Sequence, residues 1–526
     1  MLQRDLSRSL AWQGHVRIGC MEHAGPPRPG GELRNAIKKG SDRYCYRGQH
    51  NEMFMHSSEH DSNIKRRKFI QGAGALAAAT FFGTSGGNSF AKEMKIMSAI
   101  KIKNVDSNFE REPLYPYRFK GSVISEGWQT AAFLESESGI HKVGIGGQGI
   151  LWSDSKVFAA HSANGGNALM YAMSERALQI MKGNSFTNPL DLLDQLLPEV
   201  YEYGKKITGN PDLRKTFALN SLVCVDNAAW LLYAAENKIT RFDDLIPANL
   251  KPGLSYRHSK VASMPSFSVG ADVKKIKAAA DEGYFIMKLK TGSAGTQKEM
   301  LEKDIAFLTA VHAAIGHYET PYTKNGKIPY YFDANERYDE KSTLQRFLDH
   351  AKKIGAFEQI AVVEEPFGER NDVYVGDLGV TIAADESAHT VADAAKRIEQ
   401  GYTAIAVKAI AKTLSETMRI TQLAYEKKVP CFCADLTVNP ILVDWNKNVA
   451  ARLAPFPNIS IGLQETNGHQ YYKNWNTMMS YHPRANGSWT QTKQGVYITD
   501  QTFYDESGGI FLPSPHYEQM FTSDIK

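Results

Sequence analysis

Charged residues of two kinds recur where short apolar runs end in the second half of the chain. In order they are Lys288 and Lys290, Asp333 and Asn335, Glu364 and Glu365, Asp385 and Glu386, Lys408, Asp435, and Gln464 with Glu465. Carboxylates on three successive runs make a hard oxygen set suited to Mg²⁺, with Mn²⁺ as an alternative, and such an ion keeps positions open for water and substrate. The lysines then fall on opposite sides of the ion. Any one of these pairs is weak evidence, since Lys-Leu-Lys alone is more often a solvated strand edge. The ordered series is a different matter, because each member sits where a strand gives way to a loop.

The elements that would hold the series are legible in the spacing. From Val261 onward the runs VASMPSFSVG, YFIMKLK, PYYFDAN, IAVVEEPF, VTIAADES, AIAVKAI, VPCFCADL and ISIGLQE alternate with segments of helical period. Strands separated by helices predict a parallel (β/α)-barrel over 259–466, whose strand C-termini face the active site. Residues 317–329 read as a loop inserted before the third strand. Between 99 and 258 the pattern is different: IKIKNV, WQTAAFLESES and HKVGIGGQG alternate as a small antiparallel sheet, and Asn167 to Asn249 carries apolar residues at helical spacing. That predicts an α+β capping domain. The tail, 467–526, has no barrel period and is expected to return to the cap.

The set Lys288-Leu289-Lys290, Phe332-Asp333-Ala334-Asn335, Glu364-Glu365-Pro366, Ala384-Asp385-Glu386-Ser387 and Val407-Lys408 resembles the enolase superfamily, in the branch of muconate-lactonising enzyme and the dipeptide epimerases. The resemblance runs from about Ile100 to about Glu465. It implies Asp333, Glu364 and Asp385 as metal ligands, with Lys290 and Lys408 as acid/base partners. The implied chemistry is removal of the proton beside a substrate carboxylate, through an enediolate stabilised by Mg²⁺ and nearby cations. A lysine near its reference pKa of ~10.4 is charged at neutral pH, so a lysine base needs its pKa lowered. Lys288 supplies like charge beside Lys290 and is expected to hold the substrate carboxylate. Racemisation or epimerisation of an amino-acid derivative or hydroxy acid is the first expectation, dehydration of an acid sugar the second, and a catalytically silent binding protein the third. The Asp-x-Asp of dipeptide epimerases is absent from the eighth strand, which ends Gln464-Glu465-Thr466.

Around this set, Asn335, Asp435 and Glu465 are candidates for substrate contact, with barrel-mouth ion pairing as the plainer role of the two acids. Glu365 and Glu386 adjoin ligands and by strand alternation point away from them, toward supporting salt bridges. His389 reads as a surface histidine. The run Gly144-Ile145-Gly146-Gly147-Gln148-Gly149 lacks a surrounding βαβ unit, which argues against a nucleotide loop; the resemblance implies instead a mobile loop capping the pocket.

A net charge of +4 over 526 residues, with no basic block interleaved with aromatics, excludes a nucleic-acid partner. Of five cysteines, Cys431 and Cys433 share a strand face and read as buried small hydrophobes. A homo-oligomer is compatible with the composition. Near the start, Lys65-Arg66-Arg67-Lys68 precedes an Ala/Gly-rich apolar run, Phe69 to Phe82, that is too short for a bilayer span of about 20 residues. With Ser89-Phe90-Ala91 following, 53–91 reads as a twin-arginine signal peptide and the protein as exported to the periplasm through the twin-arginine translocase. Residues 1–52 lie upstream of that signal, with Met53 or Met55 as the expected start. The joint change Arg66→Lys and Arg67→Lys is expected to retain unprocessed precursor in the cytoplasm. Cell fractionation checks it, and unaltered export of the double variant would sink the idea.

Overall fold

The computed structural model describes residues 98–522. The expected upstream segment and signal peptide lie outside the described residues. The cap begins with a long antiparallel hairpin, β1 (Ile100–Phe119) and β2 (Ser122–Ser136), joined by the two residues Lys120 and Gly121. β3 (His141–Gln148) and the short β4 (Ser185–Phe186) complete a sheet of order β3-β2-β1-β4. The glycine run expected to be a mobile loop is thus an edge strand, paired with β2 from His141 to Gln148. Its glycines serve contact: a Cβ on Gly144 would stand 2.1 Å from the Ala228 nitrogen and 2.2 Å from the Cys224 oxygen. The strand lies against helix backbone where no side chain fits.

Helix α1 (Ser155–Met181), broken at Ser162, starts where the Asp154 side chain accepts from the amides of Lys156 and Val157. In α2 (Pro189–Thr208) the start is set by Asn188 and Pro189 and the end by Gly209 in the left-handed conformation. α3 (Val223–Glu236) is buried nearly all round, as its apolar sequence demands. Among the described residues no single helix is long and apolar enough to cross a membrane; the bent pair Lys215–Ser221 and Val223–Glu236, which passes jointly, forms much of the cap core.

The second half is a parallel barrel. Its strands are β5 (Lys260–Met264), β6 (Ser266–Phe267), β7 (Met287–Lys290), β8 (Tyr330–Asp333), β9 (Ile360–Glu364), β10 (Ile382–Ala384), β11 (Ala404–Val407), β12 (Cys431–Cys433) and β13 (Gly462–Glu465). β5 and β6 are two halves of the expected first strand, split at Pro265, which cannot donate to a ladder. One half pairs with β13 and the other with β7, so the sheet closes on itself. Capping boxes at Thr296/Glu299 and Thr390/Asp393 start two of the outer helices. Residues 317–329 form the loop expected before the third strand, with a bridge between Glu319 and Lys327. The tail divides its contacts. β14 (Val496–Ile498) pairs antiparallel with β5, while Tyr472 and Lys473 bond to Leu114 and Pro113 of the cap.

Cap and barrel are also joined through Asp226 of α3, whose carboxylate accepts from the Ser415 amide at 3.1 Å and from its hydroxyl at 2.5 Å. Burial pushes this carboxyl up to about 7, the Ser415 hydrogen bonds opposing. Its folded pKa lies above the ~3.9 of an unfolded aspartate, so the folded chain holds the proton more tightly. That contribution is full below the unfolded pKa and is lost as pH rises toward the folded one. Asp226→Asn cannot ionise. Its stability relative to wild type is therefore expected to improve from pH 5 to pH 8, measured as urea midpoints; parallel midpoint curves would refute the assignment.

Candidate active site

The strand ends bring most of the expected residues into one pocket under the hairpin. Lys288, Lys290, Asn335, Asp385, Lys408, Asp435 and Glu465 all line it. Lys288 and Lys290 lie two apart on β7 and so emerge on one face. The Lys288 ammonium lies 2.9 Å from Asp333 Oδ2, 2.9 Å from Glu364 Oε2 and 3.0 Å from Glu465 Oε2. Lys290 donates to Asp333 Oδ2 at 2.5 Å and to Asn335 Oδ1 at 2.9 Å. Across the pocket, Lys408 donates to Asp385 Oδ2 at 2.5 Å.

These contacts set the protonation of the site. Burial alone would raise Asp333, but Lys288 and Lys290 hold it at about 2. Glu364 goes the other way: burial pushes it up to about 8 in spite of Lys288. For Lys408, burial works downward and the Asp385 carboxylate outweighs it, so its pKa stands above the ordinary lysine value. Lys408 thus lacks, in the protein alone, the lowered pKa that a base needs. A dication on Asp385 would offset the charge that holds its ammonium up.

The donor set fits such an ion. Oxygens of Glu364, Asp385 and Glu386, all buried, lie within 4.8 Å of one another, and Glu386 Oε2 has no hydrogen-bond partner. Asp333 stands beside this group, its Oδ2 and a Glu364 oxygen both 2.9 Å from the Lys288 ammonium. The three carboxylates that lie within reach of one ion are thus Glu364, Asp385 and Glu386, where the resemblance implies Asp333, Glu364 and Asp385. Glu386 corrects the alternation argument: β10 ends at Ala384, so Asp385 and Glu386 no longer alternate as strand residues. Its Oε1 accepts from Asn335 Nδ2 at 2.9 Å and lies 3.1 Å from the Lys120 ammonium. Glu365 does turn away, with positive φ, and its carboxylate accepts from the amides of Asp385 and Ser387.

His389 is the second correction, because it is buried and bonded to Glu369 at 2.7 Å. Asp435 is pushed up to about 7 by burial and by Glu465, and its Oδ2 accepts from the Asn467 amide. Sequence reasoning missed four contributors. Lys412 lies 3.2 Å from Asp385 Oδ1 and donates to the Asp385 carbonyl; its signal was a second lysine one helical turn after Lys408. Trp152 donates to Asp385 Oδ2 at 3.0 Å, and its ring centroid is 4.1 Å from the Lys408 ammonium. The Tyr331 hydroxyl donates to Glu364. Lys120 enters from the cap, and no local pattern announces it.

An antiparallel sheet with helices capping a closed (β/α)-barrel, with carboxylates and lysines at the strand ends, is the fold of the enolase superfamily. Residues 271–488 match the family model described as enolase C-terminal domain-like. Among solved structures, the L-Ala-D/L-Glu epimerase from Bacillus subtilis is similar with a TM-score of 0.54 at 15% identity, over 76% of this chain and 96% of that one. A mandelate racemase/muconate lactonizing protein from Herpetosiphon aurantiacus gives 0.52 at 14% identity, over 76% and 95%. The N-succinyl Arg/Lys racemase from Bacillus cereus gives 0.52 at 14% identity, over 70% and 88%. No curated protein matches by sequence.

Removing one carboxylate should separate ligands from supports. Asp333→Asn, Glu364→Gln and Asp385→Asn are each expected to weaken Mg²⁺ or Mn²⁺ binding by about a hundredfold or more, and Glu386→Gln by much less. Calorimetric titration checks this; equal affinities across all four variants would put the ion elsewhere.

Proposed function

We propose that this protein is an enzyme of the enolase superfamily that abstracts the proton α to a substrate carboxylate and returns it to the same carbon, as a racemase or epimerase. The observation that carries the reading is the placing of Lys290 and Lys408. They stand on the second and sixth strands of an eight-stranded barrel, across one pocket, each paired to a different carboxylate. Two bases on opposite faces of one carbon are what a two-directional proton transfer needs. A β-elimination needs only one base on that carbon.

A divalent cation held by Asp333, Glu364 and Asp385 would supply positive charge to the substrate carboxylate oxygens. The protein does the rest. Lys288, fixed among three acidic side chains, keeps positive charge beside the carboxylate position. Lys290 or Lys408 takes the proton at Nζ, and the other, still charged, delivers one from the opposite side. Trp152 covers Lys408 and, with Tyr117, Phe119 and Tyr471 of the pocket wall, excludes water from the reacting carbon. Asn335, Asp435 and Glu465 line the remaining wall, which suits an amino-acid derivative or hydroxy acid. The segment Glu465-Thr466-Asn467 lacks the second acid that a dipeptide ammonium would use. Export to the periplasm belongs to the same proposal, supported by the Arg66-Arg67 segment.

A carboxylate library in deuterated buffer with Mg²⁺ tests the reading. Wild type is expected to yield product of unchanged formula and inverted configuration, carrying one deuterium. Lys290→Ala and Lys408→Ala should each lose inversion by about a thousandfold or more, while each still exchanges the α-proton of one isomer only. Loss of water from every accepted substrate would make the enzyme a dehydratase instead.

A further inference from the structure

The tip of the β1–β2 hairpin carries a side chain that neither the fold nor the proton transfer requires. Phe119 pairs with Ser122, leaving Lys120 and Gly121 as a two-residue turn, both with positive φ, at 47° and 76°. Such turns favour Asn, Asp or Gly, because a Cβ is strained there. A lysine at the first position costs stability that its side chain must recover. It does so in the barrel: the ammonium is 2.9 Å from Glu336 Oε2 and 3.1 Å from Glu386 Oε1, with the lysine side chain 6% exposed and that of Glu386 0%. Arg214 of the cap joins the same group, 2.8 Å from Glu336 and 3.1 Å from Glu369.

The hairpin is also the roof of the pocket. Leu114, Tyr117, Phe119 and Ile124 line it, and the Phe119 ring centroid lies 5.7 Å from the Lys290 ammonium. Near the tip the other contacts are modest: Tyr117 packs tilted against Tyr471 with ring centroids 4.4 Å apart, and its hydroxyl accepts from Thr437 at 3.3 Å, while the ties of Pro113 and Leu114 to the tail lie farther down the strand. The buried ion pairs at Lys120 are thus the strongest tie between the tip and the barrel.

We propose that Lys120 is a positioning residue, which latches the hairpin over the pocket by docking on Glu336 and Glu386 and, in doing so, keeps Glu386 out of the metal's ligand set. Glu386 lies beside Asp385, has one oxygen without a partner, and is close enough to Glu364 and Asp385 to ligate the same ion. Lys120 and Asn335 both hold its other oxygen. With the latch closed, Glu386 is neutralised and spoken for. With it open, the site gains a free carboxylate at the moment the roof lifts. The second half of the inference rests on the functional reading above; the latch itself does not.

Three single variants of the full chain, and one double variant, test both halves. Lys120→Met and Glu386→Gln should each speed backbone hydrogen exchange in 115–124 by about tenfold or more, because each breaks the same buried pair. Lys120→Arg should preserve the protection. Mn²⁺ affinity should rise about threefold or more in Lys120→Met, which uncovers a carboxylate, and that gain should vanish when Glu386→Gln is added, which removes the uncovered group. Loss of the lysine charge alone would tighten Mn²⁺ equally in the wild-type and Glu386→Gln backgrounds, and equal tightening in the two overturns the ligand half. Unchanged hairpin exchange in Lys120→Met overturns the latch. Failure of wild type to take up Mn²⁺ overturns the functional reading and the ligand half with it, while hairpin exchange still decides the latch.

Discussion

Everything at the barrel mouth depends on keeping several carboxylates and several ammoniums together in a space from which water is excluded. No single charge there is affordable alone, since an unpaired buried ion carries a desolvation penalty of several kcal/mol. The solution is alternation: Lys288 sits among Asp333, Glu364 and Glu465, Lys290 on Asp333, and Lys408 with Lys412 on Asp385. Lys288 is shared by three acids, and Asp333 and Asp385 each serve two lysines. The strands fix the spacing, because β7, β8 and β9 are in register with Lys290, Asp333 and Glu364 side by side.

That balance extends to the residues around the site. Glu365 spends a strained backbone conformation to put its carboxylate under the amides of Asp385 and Ser387. Lys412 is spent on the Asp385 carboxylate and on two carbonyls, so the loop after β11 cannot drift from the loop after β10. The cap adds Trp152 to Asp385 from above. Asp385 thus receives contacts from three directions, which gives it one orientation in the absence of any ligand.

The sequence made the barrel legible because its strands are short and apolar, and all but the first end in or just before a charged residue where a loop begins. Lys288, Lys290, Asp333, Glu364, Asp385 and Lys408 could be placed from that rule alone. Glu386 could not, because alternation assumes a strand and β10 stops at Ala384. The glycine run looked like a loop because flexibility and close packing use the same residue; only the Ala228 and Cys224 backbones opposite Gly144 reveal which applies. His389 looked exposed because its partner, Glu369, is twenty residues earlier on another loop. Lys120 and Trp152 act across the cap–barrel boundary, at separations where periodicity carries no information.

The seam of the barrel has its own consequence. Because the chain breaks at Pro265, β5 is left with one edge that no barrel strand covers, and β14 covers it. The residues that finish the barrel wall therefore come from 496–498, more than two hundred positions after the strand they protect. Assembly of this chain cannot be completed in chain order. The first barrel strand must wait, with an unsatisfied row of amides and carbonyls, until nearly all the rest has been synthesised and folded back. Its long-range pairing makes ring closure a late and slow event, and the interval before it is when the chain is most exposed to pairing with the wrong partner.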